Sequence, residues 1–280
     1  MTRPPVLDVL EPGYGPLFDR AVEVLGADER VRALWLSGSL ARGAADAGSD
    51  LDLLLAVRDV DLDAFATSWR DWLRAITPTV IARPLPFLPG SLYSVTPGRE
   101  RLDVVVEAAS AIASTPFVPR LVVFDRDGLD HEVPAPPPPA GPSSDRVAGL
   151  VEEFFRDYGM FPVVVLREDW LLGLEATHLV RSLLYRLLVE ANAPLPAMGV
   201  KQWSAKLTPV QRARLEALPM GDASRTGVLA AHEAVAVAFV DAAVPICAEL
   251  GVEWPCALEA ATLRYLRDHG LPALEGSNRG

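Results

Sequence analysis

The chain has 280 residues, half of them hydrophobic, and a formal net charge of −11 at pH 7. That length supplies one large or two ordinary domains with ample core. The acidic balance argues against a nucleic-acid partner, whose backbone is gripped by lysine and arginine, and favours a cationic small molecule. Cys247 and Cys256 are the only cysteines, too few for a disulfide framework or a zinc site. The opening residues, MTRPPVLDVLEPGYG, show no signal-peptide core. No apolar run reaches the ~20 residues of a bilayer span, so we expect a cytoplasmic protein without membrane contact.

Residues 1–15 are rich in proline and glycine and read as a loop. Apolar residues at helical spacing predict a helix over 17–25, ended by Gly26. Val31–Leu36 is the first predicted strand and Leu51–Val57 the second. Leu62, Phe65, Trp69, Trp72 and Leu73 predict one helix over 61–76, stopped by Pro78. Short strands are expected at 79–82 and 91–95, with the loop PLPFLPG between them. A turn at Thr96-Pro97-Gly98-Arg99 leads into an alternating strand over 101–107, and 121–124 is a further strand. Residues 131–144 are proline-rich, hence stiff and extended, and read as a linker between domain 1–130 and domain 145–280. Beyond it the pattern is helical: a helix from about Asp145, a long one over 168–191, and shorter or alanine-rich ones at 209–218, 229–250 and 258–267. In the long helix Leu172, Ala176, Leu179, Leu183 and Leu187 are expected to face the core. Glu168, Leu171, Glu175, His178, Ser182 and Tyr185 share another side. The tail EGSNRG is expected to be disordered.

The chemistry concentrates between the first two strands, in Gly38-Ser39-Leu40-Ala41-Arg42-Gly43 and Ser49-Asp50-Leu51-Asp52. Gly38 can adopt a backbone conformation closed to other residues and lets a phosphate approach the main chain. Ser39 opens a short helix whose free amides point at any anion placed there. Asp50 and Asp52 leave one strand face roughly 7 Å apart. A phosphate cradle beside paired carboxylates is what Mg²⁺-dependent phosphoryl or nucleotidyl transfer requires.

GSLARG followed by SDLD resembles the signature of the nucleotidyltransferase superfamily, which includes DNA polymerase β and the aminoglycoside nucleotidyltransferases. Gly38, Ser39, Gly43, Asp50 and Asp52 match it. The resemblance covers about the first 130 residues and implies an α+β fold, a small mixed sheet flanked by helices, followed by an α-helical bundle domain. It also implies a third carboxylate early in a later strand, after a turn and a basic residue. Asp103 fits that place and Glu107 is the alternative; about 13 Å of strand separates them, so both cannot serve one metal cluster.

On this resemblance Asp50, Asp52 and Asp103 hold Mg²⁺, and Gly38, Ser39, Arg42, Gly43 and Ser49 surround the phosphates of a nucleoside triphosphate, with ATP the expected co-substrate. Lys201, one of two lysines in the chain, is the candidate for neutralising the triphosphate from the helical domain. Glu175 or Glu168 is the candidate general base. The acceptor is expected to be a hydroxyl of a small molecule, and overall charge favours a cationic one of the aminoglycoside type. The rival reading is an antitoxin-like or protein-adenylylating module acting on a protein partner. Arg264 and His269 carry the arginine–histidine spacing of the HEPN ribonucleases with which such modules pair.

Overall fold

The computed structural model describes residues 3–196, 198–199, 201–272 and 274. It divides into two compact units, Met1–Pro138 with Ala197–Gly199, and Pro139–Pro196 with Val200–Gly280. The architecture is α+β, with a six-stranded mixed sheet in the first unit and helices in the second.

The first unit opens with a 3-10 turn and helix α1 (Tyr14–Ala27), so part of the expected N-terminal loop is helical. Strand β1 (Val31–Leu36) runs into the four-residue helix α2 (Gly38–Ala41), and β2 (Leu51–Val57) follows. The single helix expected over 61–76 is two, α3 (Leu62–Thr67) and α4 (Trp69–Ile76). They part at Ser68, where Thr67 and Ser68 turn their hydroxyls onto the Asp63 and Phe65 carbonyls. Such back-bonding competes with the helical ladder. Strands β3 (Ile81–Pro84) and β4 (Leu92–Val95) form an antiparallel pair, with β3 starting two residues later than expected. Strands β5 (Arg101–Ala108) and β6 (Leu121–Asp125) complete the sheet.

The strand order is β3-β4-β5-β2-β1-β6. Among the described residues only β2 and β5 run parallel, and every other pair is antiparallel. One sheet face buries Leu34, Leu36, Leu51, Leu53, Leu55, Leu102 and Val104 against α1, α3 and α4. The opposite face carries a smaller apolar cluster, Ala33, Trp35, Leu54, Ala56, Ile112 and Leu129. It gives way to polar residues toward the starts of β2 and β5.

The second unit is a helical bundle: α5 (Ser144–Tyr158), α6 (Pro162–Arg167), α7 (Trp170–Ala191), α8 (Pro209–Ala217), α9 (Arg225–Leu250) and α10 (Cys256–Asp268). Ser143, Asp169, Thr208 and Ser224 cap α5, α7, α8 and α9 by accepting a first-turn amide. Glu168 does not belong to α7. It sits between α6 and α7 in the left-handed region, at φ 52°.

The buried side of α7 is only partly the expected one: Leu183 and Leu187 are buried as expected. Gly173, Thr177, Val180, Leu184 and Leu188 are buried, whereas Leu172 and Leu179 are exposed. The reason is close approach: a Cβ on Gly173 would lie 2.5 Å from Val228 on α9. Thr177 can be buried because its hydroxyl bonds the Gly173 carbonyl. Helix α9 is long and apolar enough to cross a membrane by length and composition, contrary to the expectation that no run reaches that size. In this unit it is the core helix, with Phe239 stacked on Phe154 at 3.9 Å and His232 on Phe161 at 3.7 Å. The tail residues 275–280 lie outside the described residues.

Candidate active site

The Gly38 turn is shaped around Asp52. Gly38 has φ +60°, and a Cβ there would lie 1.8 Å from Asp52 Oδ2. The Ser37 amide donates to the Asp52 carbonyl at 3.0 Å, fastening the end of β1 to the start of β2. Only glycine allows the carboxylate to lie against this turn. Leu40 anchors α2 in the core, and Ala44 and Gly43 close the turn by donating to the Ser39 and Leu40 carbonyls. The first amides of such a turn have no intrahelical acceptor. Gly43, at φ +67°, is exposed and has open space where a Cβ would be. Arg42 is half-buried, and its Nε is buried with no hydrogen bond among the described residues. Ser49 is drawn into its own loop: its hydroxyl donates to Asp46 Oδ1 and accepts from the Asp46 amide.

Asp52 and Asp103 are direct neighbours in the parallel β2–β5 ladder. Paired residues on adjacent strands share a face and stand about 5 Å apart. Asp50 lies just before β2, ion-paired with Arg101, whose guanidinium also donates to the Gly48 carbonyl at 2.7 Å. Glu107 lies further along β5 and has a different use. It pairs with Arg120, and both side chains are almost wholly buried. Thr115 donates to the same carboxylate, and the Arg120 guanidinium lies over the Trp35 ring at 4.8 Å. Glu107 is thus committed to a buried structural network, while Asp103 stands beside Asp52.

Among the described residues, no group of three or more histidine, cysteine, aspartate or glutamate side chains is close enough to hold a metal ion. The donor set nevertheless fits one particular type of cation. Mg²⁺ keeps waters and is commonly held by one or two carboxylates plus substrate phosphates, without an all-protein cage. The neighbouring Asp52 and Asp103 suit that arrangement, and the guanidinium on Asp50 already marks a place where positive charge is stabilised.

Two residues near these carboxylates were not singled out from sequence. Arg101 is one. Tyr93 is the other: it pairs with Asp103 from β4, on the side away from Asp52, and exposes its ring. Strand alternation over 91–95 was the available signal.

The remaining candidates stand on the helical unit. Glu175 and His178 are exposed on α7, and Glu168 is exposed ahead of it. Lys201 is exposed after α7. The His269 Nδ1 lies 2.9 Å from the Tyr265 carbonyl of its own helix. A groove of about 1080 Å³ in this unit, lined by Asp145, Glu152, Glu253 and Trp254 among others, includes none of these candidates.

No protein-family profile and no curated protein matches the chain. Among solved structures, an aminoglycoside 6-adenyltransferase from Bacillus subtilis aligns over 91% of this chain and 97% of its own, at a TM-score of 0.44 and 15% identity. A likeness that remote carries no weight for function.

Proposed function

We propose that the chain is a nucleotidyltransferase that moves a nucleoside monophosphate, AMP from ATP, onto a hydroxyl of a small molecule and releases pyrophosphate. The observation that carries this reading is the direct pairing of Asp52 with Asp103, with Gly38 cleared of a side chain against the Asp52 carboxylate. Two carboxylates on adjacent strands beside a glycine turn repel one another, and a bound cation offsets that repulsion.

In this reading Asp52 and Asp103 would hold Mg²⁺, and Asp50, with one carboxylate oxygen on Arg101, would offer its other oxygen to the ion. The bound ion supplies charge neutralisation for the triphosphate and acidifies the acceptor hydroxyl. The amides of Gly38 and Ser39, with Arg42 and Gly43 beside them, orient the β- and γ-phosphates. Ser49 keeps the approach to Asp50 in shape. The acceptor oxygen forms a bond to the α-phosphorus while the bond to the bridging oxygen breaks, and pyrophosphate leaves with that electron pair. The net charge of −11 favours a cationic acceptor of the aminoglycoside type.

The test is pyrophosphate release with Mg²⁺ and each nucleoside triphosphate, against aminoglycosides, other hydroxyl-bearing antibiotics and small protein acceptors. Asp50→Ala/Asp52→Ala is the control. Release that needs one acceptor class and vanishes in the control supports the reading. Release with protein acceptors alone would replace it with the protein-adenylylating alternative, and no release with any acceptor would overturn it.

A further inference from the structure

We propose that Tyr14 and Glu100 are positioning residues that set Asp103 beside Asp52 and hold Arg101 on Asp50. This rests on the nucleotidyltransferase reading and adds to it the device that aligns the site. The β2–β5 ladder begins at the pair Leu51–Leu102. Arg101 lies one residue before it, and its amide is caught by the phenol of Tyr14, which accepts at 3.1 Å. Tyr14 is buried at the first position of α1. Its hydroxyl therefore takes the place of a strand partner at the point where β2 has not yet begun.

Glu100, the next residue back, is seated by two glycines. A Cβ on Gly13 would lie 2.0 Å from Glu100 Oε1, and one on Gly98 2.6 Å from Oε2. Thr96 donates to the same carboxylate, and the Thr96 amide donates to the Glu100 carbonyl at 3.0 Å. The carboxylate lies against the N-terminus of α1, where negative charge is favourable. The β4–β5 turn thus meets α1 at two successive residues, Glu100 and Arg101, just ahead of Asp103. Arg101 then reaches Asp50 and the Gly48 carbonyl, and Asp103 falls opposite Asp52. Neither Tyr14 nor Glu100 needs to touch substrate. They act through the backbone of Arg101 and the register of Asp103.

Tyr14→Phe keeps the ring and its packing and removes only the acceptor. Three measurements on the full chain test the inference. Amide hydrogen exchange of Arg101 should quicken on the order of tenfold or more, because its bond is gone. Mn²⁺ affinity, read by electron paramagnetic resonance without nucleotide, should weaken about fivefold to tenfold. The kcat for pyrophosphate release should fall on the order of 10- to 100-fold, as expected for a misplaced reacting group, with KM for the triphosphate unchanged. Glu100→Gln should shift the same quantities in the same direction by less. Unchanged Arg101 exchange, or faster exchange with unchanged Mn²⁺ affinity and kcat, would overturn the inference and leave the nucleotidyltransferase reading standing. A wild-type chain that neither binds Mn²⁺ nor releases pyrophosphate would overturn that reading, and the inference with it.

Discussion

Replacing Gly38 by alanine should damage the protein in two separable ways. The first is backbone strain. An L-residue in the left-handed region costs roughly 1–2 kcal/mol, and Gly38 lies at φ +60°. The second is contact. The new methyl would lie 1.8 Å from Asp52 Oδ2, so the carboxylate must leave its rotamer at a further cost of about 0.5–1.5 kcal/mol. The sum is about 1.5–3.5 kcal/mol. Gly128 isolates the first component: it has φ +75°, and its nearest neighbour is a carbon 4.0 Å away on the exposed His131 ring. Gly128→Ala should therefore lose only about 1–2 kcal/mol. Urea denaturation gives both values. Pyrophosphate release gives the functional half. Gly38→Ala should be slower on the order of 100-fold, since shifting a reacting group by an ångström costs that much. Gly128→Ala should stay within about twofold of wild type at a temperature where both are folded. Equal losses of stability and equal rates in the two variants would refute the claim that Gly38 is kept for the sake of Asp52.

Three further outcomes follow from the packing. Arg120→Met strands the buried Glu107 and should destabilise by about 3–5 kcal/mol, while the double change with Glu107→Met should recover most of the loss; urea midpoints decide it. His232 is buried between aromatic rings, and burial holds its pKa down at about 3. The unfolded chain therefore binds the extra proton first, and this contribution to stability is complete above the ordinary histidine value and shrinks as pH falls from about 6.5 toward 3. Between pH 6.5 and 4.5 it should remove about 2–3 kcal/mol, and His232→Gln should flatten that part of the pH profile. Gly173→Ala places a methyl 2.5 Å from Val228. It should cost about 1–3 kcal/mol by overpacking despite the better helix propensity, with thermal unfolding as the readout.

What could be read from sequence was what is local. Gly38, Asp50 and Asp52 fall within one strand–turn–strand passage, so type, order and spacing were enough to mark them. Asp103 was placed by the strand-start rule, but its partner on β2 could not be known until the register was seen. Glu107 and Asp103 look alike in sequence. Only the distant Arg120 and Thr115, brought over the same sheet face, show that Glu107 is committed to a buried network. The face of α7 is only partly legible for a related reason. Gly173 and Thr177 do not count as hydrophobic, yet they are buried because a second helix comes close enough to need their small size. The break at Ser68 turned on two hydroxyl rotamers that periodicity ignores.

The parallel pairing of β2 with β5 fixes the separation of Asp52 and Asp103 by the width of a hydrogen-bonded ladder. The chain from Arg58 to Gly90, ahead of β4 and the turn that carries Thr96 and Glu100, is free of that constraint. Helices α3 and α4 and strand β3 can lengthen, shorten or be exchanged without altering the distance between the two carboxylates, provided β4 and the Thr96–Glu100 turn still lead the chain into β5 at Arg101. Variation in this protein's relatives is therefore expected to gather in that excursion. A chimaera carrying another excursion of different length should keep its paired acids in place.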